Sequence, residues 1–244
     1  MDTDSSLAPL APLEDACTVV LLRDGSAGLE TLMLERPGNS SSFGGAWVFP
    51  GGKVDPGDRV DAAGRSRDDL AAAQAAGLRE LAEETGQQLA AEQLVWLSQW
   101  TPMQAIPRRF RTWFMLAAAA DAGIVLNPEE HERAEWLTPR TILALHAAGR
   151  MKLVPPTWVT LHYLAAMEST AQALELARDS EPFTYNTHLL QPDTGAPPAG
   201  VVWAGDEAYP EAPGEQPANN GPRPGARHRL TLTALPWVFE RTGS

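Results

Sequence analysis

"RELAEETGQQL", Arg79 to Leu89, sets one arginine and three glutamates, Glu80, Glu83 and Glu84, within a turn and a half of helix and then stops at Gly86. Like charges at i,i+4 weaken a helix slightly, so the arrangement needs a compensating reason. At roughly 100° per residue, Glu80 and Glu84 lie about 40° apart around the axis and Glu80 and Glu83 about 60°, which puts the three carboxylates on one face. There they can converge on a cation. Magnesium prefers oxygen ligands in octahedral geometry and keeps several waters, which suits a small carboxylate cluster. Arg79 is four residues before Glu83 and can bridge to it, neutralising part of the charge. Taken alone, the same pattern also describes a solvated helix face with internal ion pairs. Its surroundings favour the cation: upstream, "GGKVDPGD" supplies a glycine turn whose carbonyls can add a backbone ligand.

Around this stretch, Asp68 or Asp69 is predicted to cap a helix running to about Thr85, with Ala71, Ala75, Leu78, Leu81 and Ala82 as its apolar side and Gly86 as its stop. Before it, two β-rich runs, Cys17 to Leu22 and Leu29 to Glu35, flank the hairpin turn "RDGSAG". A Gly/Ser loop then leads to the short aromatic strand of "AWVFPGGKVDPGD". After it, strands are predicted at Leu94 to Trp100, Phe110 to Ala118 and around "AEWL", with helices over about 139–148 and 156–177. This is a mixed pattern of strands and helices without regular βαβ alternation. Beyond Glu181 the chain turns loop-like, and "VVWAG" and "HRLTLTALPWVF" predict a C-terminal β-hairpin with a mobile tip. The expected organisation is a flexible start over 1–15, a main domain over 16–180 and an extension over 181–244 packed on it.

The composition narrows the function. The chain has 244 residues, 43% of them hydrophobic and 20% charged, enough to bury a proper core. Its formal charge of -12 gives no basis for holding a nucleic-acid backbone, which needs clustered Lys and Arg. A small anionic substrate remains compatible, because bound divalent ions reverse the local field. Cys17 is the single cysteine, so no internal disulfide can form, and it reads as strand core in a reducing compartment. The start, "MDTDSSLAPLAPLED", lacks a basic n-region, and no apolar run approaches the roughly 20 residues of a membrane helix. The expectation is a cytoplasmic protein with neither membrane nor nucleic-acid partner.

Here the residues resemble the Nudix hydrolases. That family's signature reads Gly, five residues, Glu, seven residues, then Arg-Glu-U-x-Glu-Glu-x-Gly-U, with U bulky and apolar. Gly52, Arg79, Glu80, Leu81, Glu83, Glu84 and Gly86 match it. Asp58 stands for the first Glu, Gln87 for the last apolar residue, and twenty residues separate Asp58 from Arg79. "LMLERPGNSSSFGGAWVFPGGKVD", "PRRFRTWFMLAA" and "GRMKLVPPTWVTLHYLA" look like the branch containing the peroxisomal-type acyl-coenzyme A diphosphatases, which often carries an enlarged spacing inside the box. The end "ERTGS" is not a peroxisomal address.

The resemblance implies a Nudix α/β/α sandwich with a mixed sheet, here with the C-terminal hairpin added, and Mg²⁺ or Mn²⁺ as cofactor. Glu80, Glu84 and the carbonyl of Gly52 would be metal ligands, Glu83 a ligand or the orienter of one, and Arg79 structural support. The general base would come from the box or from "NPEEHERAEWLTP", which offers Glu130, Glu132 and Glu135; Glu132 is favoured. Arg36, Arg108 and Arg109 would meet substrate phosphates. Trp113, Phe114, Trp136 and Trp158 read as core aromatics, and the five histidines show no metal-ligand spacing. The implied reaction is hydrolysis of coenzyme A or acyl-coenzyme A to 3′,5′-ADP and (acyl-)4′-phosphopantetheine. The alternatives are the same chemistry on ADP-ribose, NADH or a dinucleoside polyphosphate, and a non-catalytic nucleotide-sensing Nudix module. RNA-cap hydrolysis is disfavoured by the missing basic surface. Relatives are often homodimers, so the hairpin is expected either to cover the pocket or to make a dimer contact.

Overall fold

A computed structural model describes residues 12–38, 44–103, 108–120, 123–191, 196–210 and 224–242. Two β-rich runs form the long hairpin of β1 (Leu13–Gly25) and β2 (Gly28–Glu35). β1 therefore begins inside the segment 1–15 that the sequence assigns to a flexible start; residues 1–11 lie outside the described residues. Next come β3 (Trp47–Val48), β4 (Gly51–Lys53), α1 (Asp69–Thr85), β5 (Val95–Thr101), β6 (Arg109–Ala118) and β7 (Arg133–Leu137). Three helices follow, α2 (Pro139–Ala147), α3 (Pro155–Leu164) and α4 (Thr170–Asp179), and then β8 (Phe183–Asn186). These strands make one eight-stranded sheet in the order β3-β2-β1-β6-β5-β8, with β4 also on β1 and β7 on β2. β1 runs parallel to β6 and β5 parallel to β8, so the sheet is mixed.

The continuous apolar run of β1 is what a strand covered on both faces requires. Cys17, Val19 and Leu21 pack with Ala73, Ala76 and Leu81 of α1, while Val20 and Leu22 join the core of α2, α3 and α4 on the other face. The result is an α/β/α sandwich. No helix among the described residues is long and apolar enough to cross a membrane.

Two helix expectations are corrected. The buried side of α1 is Ala72, Ala73, Ala76, Gly77 and Leu81, with Glu84 and Thr85, while Ala71, Ala75, Leu78 and Ala82 are only half-buried. Alanine surrounds this helix on every side, so hydrophobic spacing does not fix its rotation. Close approach does: a Cβ on Gly77 would lie 2.6 Å from the Cys17 Sγ. Burial pushes the Cys17 thiol up to about 12, which leaves it inert. The predicted single helix over 156–177 is α3 and α4, broken where Ser169 caps α4 by accepting from the Gln172 N–H and the Gln172 side chain accepts from the Glu168 N–H.

The C-terminal extension is also more than a hairpin. β8 completes the main sheet, and β9 (His188–Leu190), β10 (Gly200–Val202), β11 (His228–Thr231) and β12 (Val238–Arg241) form a second sheet in the order β12-β11-β10-β9. β10 and β11, which pair antiparallel, are the predicted hairpin, with β9 and β12 added at its sides, and most of the loop between them, 211–223, lies outside the described residues. Trp203 is fully buried and packs edge-on against Trp100 and Tyr185, whose own rings stack 3.7 Å apart. This aromatic knot fastens the small sheet to the main one.

Asp206 secures the small sheet. Its buried carboxylate accepts from the Ala208 and His228 N–H groups and from Arg229 Nε at 2.7 Å. Burial alone would raise its pKa, but Arg229 and the two amides hold it below the ordinary range. A lowered native pKa means that the stabilisation is complete above the unfolded value of about 3.9 and is lost as pH falls through the native one. Asp206→Asn is expected to cost about 2 kcal/mol at neutral pH. A thermal melt series from pH 7 to 2 should show a flatter acid limb in the variant than in the parent.

Candidate active site

Asp68 caps α1 by accepting from the Ala71 N–H, and Gly86 closes it in the left-handed conformation. The segment before α1, bridged between Val60 and Ser66, and the first turns of α1 take up the enlarged spacing. Arg59 and Arg111 bind Asp15 of β1 and Asp69 of α1, anchoring this insertion at its base. Arg79 lies behind the helix face as a hub. Its Nε and Nη2 donate to Asp58 at 3.2 and 2.9 Å, Nη2 also to the Lys53 carbonyl at 3.0 Å, and Nη1 to Glu80 and Glu83 at 2.9 and 3.2 Å. Burial acts to raise the Asp58 carboxyl, but Arg79 and the Asp55 amide carry it below the usual range.

The three glutamates occupy different environments. Glu80 packs onto the glycine bend so closely that a Cβ on Gly52 would fall 2.2 Å from its Oε1. Burial raises the Glu80 carboxyl, and the charges of Glu84 and Glu83 add to the rise while Arg79 opposes it. Glu84 is buried, and its Oε2 accepts from the Gly51 N–H at 2.8 Å. The Glu83 side chain is 52% exposed and pairs with Arg79.

The loop before β7 is hooked onto the end of α1. The Val125 N–H donates to the Thr85 carbonyl and the Asn127 N–H to the Glu84 carbonyl, and the chain then turns so that the His131 N–H returns to the Asn127 carbonyl. This brings His131, 2% exposed, to Glu84, with Nε2 2.7 Å from Oε1. Glu84, Glu130 and His131 each offer a donor atom within 4.8 Å of the others. Sequence spacing could not reveal His131, because it meets Glu84 only through this non-local loop. Glu132 is exposed, with its N–H bonded to the Glu35 carbonyl, and Glu135 pairs at 3.9 Å with Arg133.

A cleft of about 570 Å³ opens beside these groups, with Gly51, Gly52, Glu80, Glu84 and Glu130 in its lining. Arg36 and Arg108 also line it, and the Arg36 Nε is buried with no hydrogen-bond partner among the described residues. Arg109 does not line it. Strand alternation sends Arg108, Phe110, Thr112 and Phe114 to the cleft and Arg109 to the other face, with Arg111 and Trp113. Apolar side chains share the lining, among them Met103, Phe110, Val154, Pro155 and Pro156, and Thr187 and Val201 of the extension contribute to it. Neither Glu83 nor Glu132 is among its lining residues.

The model of the NUDIX domain family matches residues 12–157. The chain belongs to the Nudix family. Among solved structures, a NUDIX hydrolase from Alicyclobacillus acidocaldarius is similar with a TM-score of 0.61 and 24% identity, over 71% of this chain and 99% of that one. A MutT NUDIX hydrolase from Burkholderia pseudomallei gives a TM-score of 0.46 and 22% identity, over 62% of this chain and 97% of that one. No curated protein matches the sequence. Besides the enlarged spacing, the two residue departures within the Nudix box have structural explanations: Asp58 reaches Arg79 directly, and Gln87 is buried with its Oε1 accepting from the Ala120 N–H at 2.9 Å. The chain is thus a Nudix hydrolase, and the mutual repulsion among Glu80, Glu83 and Glu84, with the Glu130 carboxylate nearby, fits the divalent ion that the family uses.

Proposed function

We propose that this Nudix hydrolase cleaves the diphosphate bond of coenzyme A or acyl-coenzyme A, giving 3′,5′-ADP and (acyl-)4′-phosphopantetheine. The observation that supports the reading is the composition of one cleft: the carboxylates of Glu80, Glu84 and Glu130, the cations of Arg36 and Arg108, and apolar side chains that suit a pantetheine arm or acyl chain. Glu80, Glu84 and the Gly52 carbonyl would hold Mg²⁺ or Mn²⁺, with Glu83 tied to Glu80 through Arg79. When bound, the ion would offset phosphoryl charge and lower the pKa of a water. Glu130, rather than the Glu132 favoured from sequence, takes the water's proton, because Glu130 is the one that lines the cleft. Water adds to one phosphorus, the bridging P–O bond breaks, and the departing phosphate leaves with that bonding pair. Arg36 and Arg108 stabilise the charge that develops on the phosphoryl oxygens.

The protein with Mg²⁺ or Mn²⁺ and either substrate is expected to yield both products by mass spectrometry. Cleavage of neither free nor acylated coenzyme A removes the proposal. A parallel panel of ADP-ribose, NADH and a dinucleoside polyphosphate ranks the alternatives by kcat/KM.

A further inference from the structure

We propose that His131 is a positioning residue that locks the carboxylate of Glu84 in its cation-binding orientation. The inference rests on the reading of Glu84 as a metal ligand and adds to it a grip from outside the Nudix box. One short turn holds Glu84 twice. The Asn127 N–H takes the Glu84 backbone carbonyl at 3.1 Å, and four residues later the His131 Nε2 meets Glu84 Oε1 at 2.7 Å. The Gly51 N–H fixes the other oxygen at 2.8 Å. Both carboxylate oxygens are thereby oriented by protein donors, and each keeps a lone pair for an ion.

An ionised carboxylate only accepts, so the proton between the two groups belongs to His131 Nε2. The Nδ1 atom then needs no acceptor, consistent with its being buried without a hydrogen-bond partner among the described residues. In this tautomer His131 acts through Glu84 and is not itself a ligand. Groups that orient a metal ligand in this way govern how tightly the ion is held.

The test is a titration of the whole protein with Mn²⁺ followed by electron paramagnetic resonance, which reads binding without turnover. His131→Leu, which removes the donor, is expected to weaken Mn²⁺ about 10- to 100-fold, while kcat at saturating Mn²⁺ falls far less. His131→Gln, whose amide can still donate to Glu84, is expected to restore most of the affinity. A folded His131→Leu protein that binds Mn²⁺ as tightly as its parent overturns the proposal. Should the leucine variant fail to fold, ¹⁵N spectra of the unsubstituted protein decide: a proton on Nε2 supports positioning, and a proton on Nδ1 overturns it. If the unsubstituted protein binds no Mn²⁺, the metal reading of Glu84 fails first and this inference fails with it.

Discussion

Glu84→Gln is expected to lower turnover by about three orders of magnitude, equivalent to about 4 kcal/mol of transition-state stabilisation. The amide preserves the shape of the side chain and can still accept from the Gly51 N–H, so the fold should survive. What it removes is the negative charge on a buried group that stands beside Glu80, Glu130 and His131 at the head of the cleft. Single-turnover rates on whichever substrate leads the panel, with a circular dichroism spectrum and a melting curve, provide the check. Full activity in a well-folded variant contradicts the assignment of the site.

The second large effect is on stability. Replacing Arg79 by methionine keeps the apolar stem but leaves the buried Asp58 carboxylate without its counter-charge, and a loss of about 3 kcal/mol is expected. Turnover should fall as well, by roughly 10- to 100-fold, because Glu80 and Glu83 lose the guanidinium that braces them. Lysine cannot reproduce the two-pronged contact and should rescue little. The discriminating measurement is urea unfolding of the double variant Arg79→Met with Asp58→Asn. If Arg79 acts on stability through Asp58, the second change recovers much of the loss; strict additivity of the two destabilisations argues against it.

How far the sequence could be read depended on the range of the interactions. The Asp68 cap, the Gly86 stop and the β1–β2 hairpin are decided within a few residues, and they stand where the sequence puts them. The break between α3 and α4 had a local signal, the Ser169 to Gln172 box, that helical spacing outweighed. The rotation of α1 was hidden because alanines carry little directional information, whereas Gly77 against Cys17 carries a great deal. The opposite faces of Arg108 and Arg109 follow from the two-residue period of β6 once its register with β1 is known. His131 and Glu130 reach Glu84 only because backbone amides of the 123–131 loop bind carbonyls at the end of α1, a pairing across some forty residues that no local pattern announces.

The knot of Trp100, Tyr185 and Trp203 extends beyond the family match, which ends at residue 157. A protein trimmed after Asn186 would keep the main sheet, its helices and every carboxylate of the box. It would nevertheless forfeit Thr187 and Val201 from the groove and strip Trp203 from Trp100 and Tyr185, letting bulk water in beside them. Whatever selects among candidate molecules would then be impaired before the bond-breaking apparatus was, and the tail is better regarded as half of a mould than as an appendage.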